Sequence, residues 1–122
     1  MLKSKFFNEN EIKCQHCGEL VWEESFFEWL DQVRFVYDKP MVVSSGYRCP
    51  EHPIEARKHK PGAHTTGCAV DIAVYGPDAL RLISIAYSLG CRRIGVNQKG
   101  KHKSRFIHLD QAKDFPDAMW SY

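Results

Sequence analysis

Apolar residues along this chain recur with two different spacings, and each spacing predicts an element. From Glu23 to Tyr37 (EESFFEWLDQVRFVY), Phe26, Phe27, Leu30, Val33 and Tyr37 stand three and four apart, the stripe of an amphipathic helix. Asp38-Lys39-Pro40 ends it, because proline biases the residue before it away from helix. Met41 to Ser44 follows as a short β-branched strand. Cys68 to Val74 (CAVDIAV) has the other spacing: Val70, Ile72 and Val74 fall on one face of a strand, Ala69, Asp71 and Ala73 on the other. Pro77 to Gly90 (PDALRLISIAYSLG) reads as a second helix, with proline in its first turn and glycine at its close. Arg93 to Val96 and Arg105 to Asp110 (RFIHLD) are two more strands around a turn centred on Gly100. Between Gly46 and Gly67 the pattern breaks down, with Pro50, Pro53 and Pro61 in a long loop region that is ordered by function or by packing.

The order helix, strand, long loop, strand, helix, strand, strand predicts an α+β fold, with a small mixed or mainly antiparallel sheet backed by helices. With 122 residues, one domain over residues 1–122 is expected. A hydrophobic share of 43% and a charged share of 26% are those of an ordinary globular chain, and no apolar run approaches the ~20 residues that span a bilayer. Membrane insertion is not expected. The start, MLKSKFFNENEIK, lacks the apolar core of a secretion signal, so a cytoplasmic location as synthesised is expected.

Charge changes this picture little. Seventeen basic and fifteen acidic residues leave a net +2, too balanced to argue for a nucleic-acid partner. Two basic clusters, Arg57-Lys58-His59-Lys60 and Lys99 to Arg105, each lie near a candidate site residue in sequence. They read either as solvated loops or as attraction for an anionic polymer.

The candidate chemistry lies in His64-Thr65-Thr66-Gly67-Cys68-Ala69-Val70-Asp71. Seven residues of straight helix would part His64 and Asp71 by ~10.5 Å, and of straight strand by ~23 Å; neither lets both reach one ion at ~2 Å. A turn at Gly67 does. Asp71 would then project from a face kept open by alanines. In the last strand Ile107 and Leu109 face one way while Phe106, His108 and Asp110 face the other. His108 is either a structural strand histidine or a third ligand. Two histidines and one carboxylate would leave a position on zinc for water, as a catalytic site requires.

Three segments in this order, Ser44-Ser45-Gly46-Tyr47-Arg48-Cys49-Pro50-Glu51-His52, His64 to Asp71, and Phe106-Ile107-His108-Leu109-Asp110, resemble the zinc D-Ala-D-Ala carboxypeptidase family. That family includes cell-wall carboxypeptidases and phage endolysin peptidases that cut peptidoglycan stem peptides. Its pattern S-G-Y-R, H-x-x-G-x-A-x-D and H-x-D is matched residue by residue, and the resemblance runs from about Phe6 to Asp110, the Cys-x-x-Cys near the start included. The resemblance implies a fold shared with the hedgehog signalling domain, Zn2+ held by His64, Asp71 and His108, and hydrolysis of peptide bonds in bacterial peptidoglycan. It also implies action on the cell wall after release or as part of a virion.

Arg48 matches the family's arginine beside the metal, with Tyr47 next to it as a substrate-binding residue. A guanidinium suits that role because its donors bind carboxylate oxygens and stabilise developing oxyanion charge; the alternative is an arginine that only stabilises its loop. Many family members carry Glu or Asp three residues before the last zinc histidine, and here that position is Arg105. Asp110 is the first candidate for the general base or for support of a ligand, with His102 and Glu51 behind it.

Five cysteines and no export signal argue against a disulfide scaffold. Cys14-x-x-Cys17 and Cys49-x-x-His52 have the ligand types and local spacing of a structural zinc site, or else remain reduced residues of two loops. Cys68 and Cys91 adjoin apolar stretches and read as small hydrophobes. Three functions compete. The first is a monomeric zinc peptidase acting on peptidoglycan. The second is a non-catalytic, zinc-stabilised cell-wall-binding or virion-associated module of the same fold. A nucleic-acid-binding zinc protein is the third, and it leaves His64, Asp71 and His108 unexplained.

Overall fold

The computed structural model describes residues 4–21, 23–49, 51–56 and 62–122; the basic cluster Arg57 to Lys60 lies outside them. The fold is α+β, as expected. Among the described residues, four helices, α1 (Glu9–Ile12), α2 (Glu24–Tyr37), α3 (Pro53–Ala56) and α4 (Gly76–Ser88), accompany five strands, β1 (Val42–Ser45), β2 (Ala69–Ala73), β3 (Arg93–Asn97), β4 (Phe106–Asp110) and β5 (Ala118–Ser121).

The strands form one sheet in the order β1-β2-β4-β3-β5. Every pairing is antiparallel except β3 with β5, which is parallel, so the sheet is mixed.

The predicted helical stripe is the buried one: Phe26, Phe27, Leu30, Val33 and Tyr37 all enter the core, joined by Trp29. Trp29 also donates its indole N–H to the Leu89 carbonyl at 2.8 Å, linking α2 to the end of α4. The helix stops at Asp38, which takes the left-handed conformation (φ 57°) two residues before Pro40. Leu82 and Ala86 of α4 meet the same core, as do Val70 and Ile72 of β2, Ile94 of β3, and Ile107 and Leu109 of β4. Both long helices therefore cover one face of the sheet. Fully burying a side chain of this kind contributes roughly 1.5–3 kcal/mol, so this layer sets the position of β2 and β4, and the opposite face is left for the site.

Four elements depart from the sequence expectation. The region from Gly46 to Gly67, expected as loop, contains α3 and a 3-10 turn at Ala63–Thr66. A capping box at Asn8 and Glu11 starts the short α1. Strand β5 was not expected at all: it is four residues long, largely exposed, and pairs in parallel with β3.

Candidate metal centre

The helix-free face of the sheet carries the site as one row across the strands. Asp71 of β2 pairs with His108 of β4, His108 with Gly95 of β3, and Gly95 with Trp120 of β5. Side chains directly opposite on neighbouring strands lie about 4.5–5.5 Å apart at Cβ, so strand register alone brings the carboxylate to the imidazole. His64 arrives from the 3-10 turn Ala63–Thr66, which closes at Gly67 in the left-handed region (φ 77°). A Cβ at Gly67 would also lie 2.8 Å from a Val21 methyl and 3.0 Å from the Val21 carbonyl, so only glycine makes this turn without displacing Val21.

At the other edge of β2 the register slips between Val43 and Ser45, leaving Ser44 as an extra residue opposite Asp71. This bulge sends the chain off the sheet into Gly46-Tyr47-Arg48. There the Gly46 carbonyl accepts a hydrogen bond from His64 Nδ1 at 2.7 Å, and Arg48 N–H donates to the His64 carbonyl at 3.1 Å.

Those contacts decide which imidazole atoms face the centre. A carbonyl can only accept, so His64 Nδ1 carries the proton and Nε2 presents its lone pair, 3.3 Å from Asp71 Oδ1. His108 is held in the opposite sense: Nε2 donates to Asp110 Oδ2 at 2.5 Å and Nδ1 faces Asp71 Oδ1 at 2.9 Å. The His64, Asp71 and His108 ligand atoms all lie within 4.8 Å of one another, and all three residues are buried. A tetrahedral site with bonds of ~2.0–2.1 Å has ligand-to-ligand edges of about 3.3 Å. Two imidazole nitrogens turned onto one carboxylate oxygen at that spacing fit a divalent cation. Asp110 behind His108 supplies the carboxylate that orients a metal-binding imidazole.

The same contacts perturb the titrations. Burial alone would raise the Asp71 carboxyl, but hydrogen bonds and charge from His108 and His64 outweigh it and hold the group well below the usual carboxylate range. Burial pulls His108 down, and Asp110 and Asp71 on either side more than reverse this, raising it above its ordinary value. Asp110 is lowered, its burial overcome by His108, the Ala112 N–H and Arg93.

The centre lies in a cleft of about 440 Å³. Arg48 borders it with Nη2 3.6 Å from Asp71 Oδ2 and Nε donating to Ser45 Oγ at 3.1 Å. Phe106, Phe115, Trp120 and Tyr122 supply aromatic walls.

Other expected site residues lie elsewhere. Tyr47 is buried against Cys14 and Cys49 and does not line the cleft. Asp110 is fully buried: Oδ1 accepts from Arg93 Nε at 2.7 Å and from Ala112 N–H at 3.1 Å, and Oδ2 from His108. A base must reach a substrate proton, so of its two expected roles Asp110 fits ligand support and not the base. His102 stacks on Tyr75 with ring centroids 4.2 Å apart, Glu51 is exposed, and neither lines the cleft. Arg105 turns its guanidinium onto the Gly100 carbonyl.

Cys14, Cys17 and Cys49 come together as a second donor group, without His52, whose Nδ1 accepts the Ile54 N–H at 3.1 Å.

Five residues of the site escaped the sequence reading: Arg93, Gly95, Phe115, Trp120 and Tyr122. The Trp120 ring lies 5.1 Å from that of His108, and a Cβ at Gly95 would meet Trp120 Nε1 at 2.6 Å. A glycine inside Arg93-Ile94-Gly95-Val96 was the available signal, since glycine within a strand marks close approach of another group.

No curated protein and no solved structure gives a significant match to the chain. The sequence pattern of the family described as Peptidase M15 matches residues 5–110, which include every residue of the proposed metal centre, and the chain belongs to that family.

Proposed function

We propose that this chain is a zinc peptidase that hydrolyses peptide bonds in the stem peptides or cross-links of bacterial peptidoglycan. Membership of a peptidase family supports the reaction class. The observation that carries the reading is the convergence of His64 Nε2, Asp71 Oδ1 and His108 Nδ1 at the wall of an open cleft. Zinc held by these three would polarise the scissile carbonyl and acidify a water toward a pKa of ~7. The protein's own groups do the rest. The Gly46 carbonyl and Asp110 keep the two imidazoles in the tautomers that face Asp71. Arg48, braced by Ser45, offers its guanidinium to a substrate carboxylate or to the oxygen on which negative charge develops. The Tyr122 phenol, raised chiefly by burial, stays protonated and enters the cleft as a neutral donor. Cell-wall peptides would be reached after release or from within a virion.

One observation favours a second reading, a non-catalytic zinc-stabilised module that binds the cell wall or a virion. Among the described residues lining the cleft, the only carboxylate is Asp71, so a carboxylate base would have to come from outside that set. Digestion separates the two. Zinc-loaded protein is incubated with purified peptidoglycan and the soluble fragments are analysed by mass spectrometry. New peptide termini that His108→Ala abolishes support the peptidase; none, with zinc bound and the wall retained on the protein, supports the binding module.

A further inference from the structure

Distant from the cleft residues in sequence, the N-terminal segment is fastened in space to the loop that carries Arg48. Tyr47 N–H donates to the Ile12 carbonyl at 2.7 Å. Gly46 lies so near that a Cβ there would be 2.5 Å from the Ile12 oxygen. At this seam Cys14 and Cys49, 35 residues apart in sequence, place their sulfur atoms 3.6 Å from each other. The separation is far beyond the ~2.05 Å of a disulfide, and all five cysteines are free. Cys17 completes a group in which the three sulfurs lie within 4.8 Å of one another. A tetrahedral zinc–thiolate site with bonds of ~2.3 Å has sulfur-to-sulfur edges of about 3.8 Å, close to the observed Cys14–Cys49 separation.

The local backbone is shaped to hold anionic sulfur. Gly18 takes φ +76°, and its N–H donates to the Cys14 carbonyl at 2.8 Å, curling Cys14-Gln15-His16-Cys17 into a tight loop. Cys49 N–H donates to Cys14 Sγ at 3.3 Å. Three sulfur donors converge here from two segments of the chain, and thiolate selects a soft or borderline metal.

We propose that Cys14, Cys17 and Cys49 form a second, structural metal site, a three-thiolate centre for zinc that staples the N-terminal segment to the Gly46–Cys49 loop. Three protein ligands leave one corner of a tetrahedron for water or an imidazole. The loop so held is the one whose Gly46 carbonyl fixes His64 Nδ1 and whose Arg48 borders the cleft. The site depends neither on a metal in the cleft nor on peptidase activity.

Cobalt(II) alone is the probe, because a thiolate bound to it gives a sulfur-to-metal charge-transfer band that nitrogen and oxygen ligands do not. Protein purified with reductant, stripped of metal and titrated with cobalt is expected to bind about two ions per chain and show this band. His108→Ala leaves the thiolates untouched and should keep the band at full intensity, whatever becomes of the cleft. Cys17→Ser, a change at an exposed position, should lose most of the band and about one ion per chain. No charge-transfer band in the wild type, or a band that Cys17→Ser leaves undiminished, overturns the proposal.

Discussion

Replacing Gly95 by alanine tests the packing that holds the metal centre against β5. Gly95 stands between His108 and Trp120 in the cross-strand row. An added Cβ would sit 2.6 Å from Trp120 Nε1, 2.8 Å from Cε2 and 3.0 Å from His108 Cβ. The indole atoms struck belong to a rigid ring, so the whole half-buried side chain must move by most of an ångström. Overpacking of this kind costs about 1–3 kcal/mol. The approaches of 2.6 and 2.8 Å to a rigid ring put the clash in the upper half of that range; alanine returns roughly 0.5–1 kcal/mol by restricting the unfolded chain, leaving a net loss of about 1–2.5 kcal/mol. For a chain of 122 residues this lowers Tm by about 3–10 °C.

The clash is separable from a general intolerance of alanine by a double-mutant cycle, because Trp120→Ala removes the obstructing ring. Urea unfolding of Gly95→Ala, Trp120→Ala and the double variant should show Gly95→Ala losing at least half its penalty in the Trp120→Ala background, with the tight His108 contact accounting for the remainder. A penalty equal in both backgrounds, or a single variant within about 0.5 kcal/mol of wild type, would contradict the packing account.

Three further predictions concern the site itself. Asp110→Asn removes the carboxylate that orients His108 and should weaken zinc about 10–100-fold in a competition titration against a chelator; undiminished affinity would show that Asp110 does not support the ligand. Arg48→Lys keeps the charge but loses the fork of donors, and loss of one such contact in the transition state should cost about 10²–10³ in kcat with zinc content unchanged. The third is a pH dependence. The lowered Asp71 carboxyl stabilises the fold above the unfolded carboxylate pKa of ~3.9, and this is lost as pH falls through the folded value. The raised His108 stabilises the metal-free fold below ~6.5, and this is lost as pH rises through its folded value. Zinc takes the place of the His108 proton, so the Tm gain on adding zinc should grow from about pH 5 to about pH 8; a gain that shrinks with pH would contradict the assignment of Nδ1.

Much of this arrangement was legible in the sequence because two-residue alternation assigns faces. Alternation alone sorts Val70 and Ile72 from Asp71, and Ile107 and Leu109 from His108, and the 3.6-residue period does the same for the α2 stripe. Alternation does not report how deep a residue lies. Asp110 shares the face of His108, yet Arg93 and the Ala112 N–H close over it, a contact from β3 that no local pattern contains. Tyr47 lies away from the cleft for a related reason: the bulge at Ser44 breaks the period, and the loop after it turns the ring toward Cys14 and Cys49. Strand β5 offers neither a long apolar run nor a hairpin partner, because its pairing with β3 is parallel and non-local. Its Trp120 therefore could not be joined to the site without the register that puts Gly95 beneath it.

In the proposed centre His64, Asp71 and His108 bind one metal ion through Nε2, Oδ1 and Nδ1. Anomalous diffraction at the zinc edge from crystals of the zinc-loaded protein tests it most directly. The account predicts a peak in the cleft at about 2.0–2.1 Å from each of those three atoms. Zinc bound through His108 Nε2 or His64 Nδ1, or no peak in the cleft while zinc is found at the cysteines, would contradict it.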